Sequence, residues 1–111
     1  MPAPAFKNVG LTAEDMKRVV VYGNEKGKQM NLVTGETGSF NPKAFEEELV
    51  NLAKKMVKEH PDIGAVVLEC TEFPPYAHAI QNAIRRSVWD FVTMTNFMHA
   101  GAMRTPYRGW L

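Results

Sequence analysis

A single cysteine, Cys70, in 111 residues excludes an internal disulfide and suits a reducing compartment. No apolar run approaches the ~20 residues needed to span a bilayer. The opening Met1-Pro2-Ala3-Pro4-Ala5-Phe6 lacks the basic-then-apolar order of a secretory leader. Together these absences point to a cytoplasmic protein with no membrane partner. Charge of one sign is also missing: thirteen basic against twelve acidic side chains leave a formal +1, so no nucleic-acid partner is expected. No His, Cys or acidic cluster has metal-ligand spacing, and there is neither a dinucleotide fingerprint nor a G-x-S-x-G elbow. Gly35–Gly38 lacks the Lys-Ser/Thr of a phosphate loop and reads as a turn. Neither a metal nor an organic cofactor is expected, and no internal repeat or low-complexity tract occurs.

What remains is an ordinary globular composition, 45% hydrophobic and 23% charged, long enough for one hydrophobic core. The chain is organised around Asp62–Tyr76. Ile63 to Leu68 is an unalternated apolar run with β-branched and small members, the pattern of a strand buried on both faces of a parallel sheet. It stops at Glu69-Cys70-Thr71-Glu72, after which Pro74 and Pro75 suit the first turn of a helix. Cys70 therefore falls on the loop at the carboxyl end of a strand, the edge where open parallel sheets bind ligands. One reading makes Cys70 an inert, small buried hydrophobe. The other makes it a nucleophile or acid/base, since thiols beside a helix N-terminus are acidified, with Glu69 and Glu72 opposing that effect.

The remaining elements follow from periodicity and punctuation. Residues 1–10 form a loose arm, and Thr12 caps a short helix. Val19–Tyr22 reads as a strand broken at Gly23-Asn24, which would put Asn24 on a strand edge, although an ordinary turn is the plainer reading. Met30–Val33 reads as a short strand or flap. Asn41 and Pro42 open the clearest helix, whose Phe45, Leu49, Leu52, Ala53, Met56 and Val57 share one stripe and which Pro61 stops. A second helix spans about Pro75 to Arg86 with Tyr76 and Ile80 on its apolar side and His78 off it, near the strand edge. Val88–Val92 reads as the next strand, with Asp90 needing hydrogen-bond partners if buried. Thr93–Met103 reads as a Met-rich helix suited to packing or an interface. A single α/β domain over 11–104 would then end in an apolar tail, 105–111, that docks on a partner.

Glu69-Cys70-Thr71-Glu72-Phe73-Pro74-Pro75-Tyr76, with Val88–Thr93 and Arg104–Gly109, resembles the second cysteine motif of the aspartate/glutamate racemase family. That resemblance spans roughly residues 42–109 and implies a flavodoxin-like parallel sheet flanked by helices, one half of a two-domain fold. It implies a racemase or isomerase that moves a proton, without cofactor, at the α carbon of an amino acid or small carboxylate. Cys70 would be the acid/base. Thr71 would hold the substrate carboxylate, and Glu72 would meet a substrate ammonium or orient the thiol. Glu69, Tyr76, His78 and Asn24 are the secondary site candidates. Family members carry a cysteine in each half, and only the second half is matched, so a homodimer or another racemase-like half would supply the second base. An isomerase or decarboxylase protonating one face with a single cysteine is also compatible. A truncated, inactive domain that binds small carboxylates, or acts as an interaction module, is the alternative.

Overall fold

Asn41 caps the longest helix from its side chain: Oδ1 accepts from the backbone N–H groups of Lys43 and Ala44 at 3.0 and 3.1 Å. The helix runs over Pro42–Glu59 and buries Phe45, Leu49, Ala53 and Met56, four positions of the expected stripe. In this computed structural model residues 3–35 and 39–109 are described, and the chain divides into two compact units, Met1–Met56 and Val57–Leu111. The turn expected at Gly35–Gly38 lies mostly outside the described residues, as do Met1 and Pro2 of the arm and Trp110 and Leu111 of the tail.

The first unit is helical. The helices in order are α1 (Ala3–Asn8), α2 (Ala13–Met16), α3 (Lys28–Thr34) and α4 (Pro42–Glu59), the last crossing the division at Met56. The arm is thus helical over Ala3–Asn8 rather than loose. Thr12 caps α2 as expected, in a reciprocal box with Asp15: the Thr12 hydroxyl and backbone N–H both reach Asp15 Oδ2, at 2.6 and 2.8 Å. Those bonds, the hydroxyl's first, hold the Asp15 carboxyl below its ordinary pKa. The depressed value means that this cap is complete above the usual carboxylate range and fails as pH falls through the folded-state value. Acid titration followed at the Thr12 and Asp15 amides by NMR is expected to show that loss at lower pH than for an unbonded aspartate.

Two expectations fail in this unit. Val19–Tyr22 forms no strand, because β-branched residues need a ladder and no strand among the described residues runs beside them. Lys28–Thr34 is a helix, where the sequence suggests a polar loop followed by a strand or flap. Its stabilising group comes from far along the chain. Glu48 of α4 accepts from the backbone N–H groups of Gln29 and Met30, at 3.0 and 3.3 Å, so its carboxylate occupies the positive end of α3. Asn24 Nδ2 donates to the same carboxylate at 2.7 Å. A Cβ at Gly27, the N-cap, would overlap the Glu48 and Asn24 side chains as they are placed here. Glu48→Ala is expected to destabilise this unit by about 1–2 kcal/mol, with faster amide exchange at Gln29 and Met30; unchanged exchange would disprove the remote cap.

The second unit is a βαβ arrangement. β1 (Ala65–Val67) is followed by a 3-10 turn at Pro74–Tyr76, helix α5 (Ala77–Ile84), β2 (Ser87–Trp89) and helix α6 (Phe91–Ala102). β1 and β2 are parallel, with Val66 opposite Val88, and the Leu68 N–H extends the ladder to the Trp89 carbonyl at 2.8 Å. Ile80 and Ile84 bury the inner side of α5, which packs on β2. Arg86 ties the entrances of both strands together, its Nε donating to the Ile63 carbonyl at 2.8 Å. Arg85 ends α5 in the left-handed region (φ 54°), where glycine is the usual residue.

Both strands are shorter than their apolar runs, and the expectation of burial on two faces does not hold. Only Val66 of β1 is buried, and Val67 is 72% exposed. β2 stops at Trp89, so the strand expected over Val88–Val92 gives way to α6 two residues later. Asp90 causes the switch. Its carboxylate accepts from the Thr93 N–H at 2.8 Å while the Thr93 hydroxyl accepts from the Asp90 N–H at 2.9 Å. Asp90 is thereby buried with its hydrogen bonds made, the requirement that its position in an apolar stretch imposes.

Candidate active site

Two loops leave the carboxyl edge of the two-stranded sheet. The register sets Val67 against Trp89, so the Glu69–Phe73 loop after β1 and the Asp90 start of α6 emerge at the same edge. The first loop is a tight turn: the Phe73 N–H donates to the Cys70 carbonyl at 3.1 Å, and the Tyr76 N–H to the Phe73 carbonyl at 2.9 Å. This turn places Cys70 at its first corner, half-buried, with Thr71 and Glu72 at its exposed tip and Glu69 exposed just before it. Pro74 and Pro75 fix the exit into the 3-10 turn, since neither has an N–H to leave unpaired.

Cys70, Thr71, Glu72 and Glu69 are therefore gathered on one short turn, and the secondary candidates are not. Tyr76 is buried in the core at the foot of α5. His78 lies exposed on α5, its Nε2 paired with Asn82 Nδ2 at 2.9 Å along the same helix. Asn24 belongs to the other unit, where it serves the Glu48 carboxylate, and the strand whose edge it would have lined does not form. The Asp90–Thr93 pair, which the sequence reading leaves inside a strand, is instead the second component of the edge. An Asp-x-x-Thr spacing after an apolar run is the local capping signal that identifies it.

The turn offers a thiol beside two carboxylates, with a hydroxyl between them. At the same edge the positive end of α6 is already met by the Asp90 carboxylate, which accepts from the Thr93 N–H. The exposed Glu69 and Glu72 carboxylates suit a ligand with a cationic end. Among the described residues no group of three or more His, Cys, Asp or Glu side chains is placed to hold a metal ion. The open groove of about 540 Å³ between the end of α6 and residues 104–108 is lined by His99, Arg104, Tyr107 and Arg108, and none of Glu69, Cys70, Thr71 and Glu72 lines it.

Comparison with known proteins yields lyases. The chain is 42% identical over 107 residues to dimethylsulfoniopropionate lyase 3 of Emiliania huxleyi (strain CCMP1516), covering 93% of this chain and 27% of that one. It is 43% identical over 61 residues to lyase 5 of the same organism, 55% of this chain and 12% of the relative. A dimethylsulfoniopropionate lyase of Durusdinium sp. clade D is 34% identical over 61 residues, 55% of this chain and 20% of the relative. The chain thus spans about an eighth to a quarter of the length of these curated relatives. No family model and no solved structure matches.

These findings overturn the racemase resemblance. An eight-residue motif and two shorter stretches carry it, whereas the similarity to the lyases extends over 93% of the chain and no racemase model is matched. The racemase and isomerase reading is withdrawn with it. The inactive-domain alternative gains no support from relatives that are named as enzymes.

Proposed function

We propose that this chain carries the cysteine-bearing part of a dimethylsulfoniopropionate lyase, and that Cys70 is the base of the elimination. The support is its 42% identity over 107 residues to a protein of that name. The substrate is a sulfonium cation joined through two methylenes to a carboxylate. A lyase breaks its carbon–sulfur bond by elimination. The base takes a proton from the carbon next to the carboxylate, that C–H pair becomes the double bond of acrylate, and the carbon–sulfur pair leaves with dimethyl sulfide. The thiolate becomes a thiol, and no oxidant, metal or second acid/base face is needed to balance the step. One cysteine is sufficient for this chemistry, whereas a two-base inversion would need two.

The exposed turn matches the two ends of that substrate. Glu69 and Glu72 flank Cys70 and attract the sulfonium. The Thr71 hydroxyl receives the carboxylate, whose negative charge grows as the α proton leaves. The small-molecule partner is thus a carboxylate with a leaving group two carbons away. An α/β, flavodoxin-like sheet extending beyond these two strands is the frame we assign to this edge. No helix among the described residues is long and apolar enough to cross a membrane. A cytoplasmic location is part of the proposal, on the ground that a single cysteine suits a reducing compartment.

The test is product formation from dimethylsulfoniopropionate, by the chain itself and by Emiliania huxleyi lyase 3 with its matching segment replaced by this chain. Equal yields of acrylate and dimethyl sulfide are expected. A folded chimera that makes neither would refute the proposal.

A further inference from the structure

All twelve acidic side chains lie at or before Asp90, so the stretch that follows holds His99, Arg104 and Arg108 with no carboxylate side chain among them. The end of α6 brings these three to one place. Met103 closes the helix, its N–H donating to the His99 carbonyl at 2.8 Å, and His99, Arg104 and Arg108 all line the open groove of about 540 Å³ beyond it. No Asp or Glu lines that groove. Neither guanidinium makes an ion pair or a hydrogen bond with a described residue. The closing carbonyls of α6 carry about half a negative charge, which a single arginine more than offsets. The second arginine leaves the groove cationic.

We propose that this groove binds a phosphomonoester, with Arg104 and Arg108 on the phosphate and the organic part lying on Tyr107. One guanidinium fork satisfies a carboxylate, whereas a phosphomonoester presents three terminal oxygens and takes two forks. Above its second pKa of about 6 it is also a dianion, matching two fixed positive charges. The His99 ring adds a further N–H donor. The volume is that of a site for a small organic molecule and exceeds what one phosphate fills. Tyr107 is 82% exposed, so its ring is open to stacking by a flat group, and Met103 and Pro106 supply apolar wall beside it. A phosphate that carries a planar ring uses both halves of the groove. The Cys70 turn meets the start of α6 and the groove lies at its end, roughly 18 Å away along twelve helical residues. The groove is thus a second site, and binding there does not depend on lyase chemistry at Cys70.

Amide NMR of the full chain, titrated with phenyl phosphate, inorganic phosphate or benzoate at constant ionic strength, tests this. Saturable shifts confined to residues 99–108 are expected, with a dissociation constant of about 1 mM for phenyl phosphate. Inorganic phosphate, which lacks the ring, and benzoate, which fills one fork, should each bind about tenfold more weakly. Arg104→Gln and Arg108→Gln should each weaken phenyl phosphate at least about tenfold, and the amide spectra verify that both variants stay folded. Lys54→Gln, an exposed cation on α4, should leave binding within about twofold. Tyr107→Ala should bring phenyl phosphate down to the affinity of inorganic phosphate. Shifts that do not saturate below about 50 mM overturn the proposal. So does benzoate binding as tightly as phenyl phosphate, or equal weakening by Lys54→Gln and Arg104→Gln.

Discussion

Replacing Cys70 with alanine is expected to lower turnover of dimethylsulfoniopropionate by about a thousandfold, in the middle of the range for removing a general base. The C–H bond next to a carboxylate is a weak acid, so elimination is slow until a base is held against it. The thiol is half-buried at the corner of the Cys70–Phe73 turn, where the backbone hydrogen bond to Phe73 fixes its position. In the proposed mechanism Thr71 and the two glutamates hold the substrate, so the loss should fall on kcat while KM changes little. Cys70→Ser should recover almost nothing, because an alcohol is a far weaker acid than a thiol and is not ionised at neutral pH. Release of dimethyl sulfide and acrylate, together with uptake of solvent deuterium into unreacted substrate, measures both steps. An alanine variant within about tenfold of the parent would remove Cys70 from the mechanism.

Where the sequence is legible, the information is local. The Asn41 cap, Pro42 and the 3-4 spacing of Phe45, Leu49, Ala53 and Met56 lie within one helix, and α4 forms with those bounds. The loop Glu69–Phe73 is legible for the same reason: an apolar run, a polar stop and two prolines specify a strand end and a helix start without outside help. Where the reading fails, the deciding contact is distant or missing. α3 depends on Glu48, about nineteen residues from the amides it receives. Val19–Tyr22 has strand-forming residues but no partner strand among the described residues. The turn into α6 is a different kind of failure, because Asp90 and Thr93 carry a local signal that the apolar run Val88–Val92 outweighs in a periodicity reading. The family resemblance fails because an eight-residue motif describes one turn, and a turn fixes neither a whole fold nor the reaction that uses it.

Ile80→Ala is expected to destabilise the cysteine-bearing unit by about 3 kcal/mol, within the 2–5 kcal/mol seen for truncating a buried aliphatic side chain. Ile80 is 2% exposed and sits on the inner side of α5, which packs on β2. Around it the described core of this unit is small: Val66, Leu68, Tyr76 and Ile84 are its other buried apolar residues. A unit of this size has a stability of only a few kcal/mol, so the cavity removes most of it. The effect should reach the site, because α5 leads directly out of the turn that holds Cys70 and the strand it packs on leads into Asp90. Ile80→Val, which removes one methyl group, should cost only about 1 kcal/mol and keep the turn intact. Urea unfolding followed by circular dichroism and by thiol labelling separates the two outcomes. For Ile80→Ala, labelling of Cys70 should accelerate in parallel with the loss of global stability. If Cys70 labelling is unchanged while the helix signal is lost, the turn is held by something other than this core.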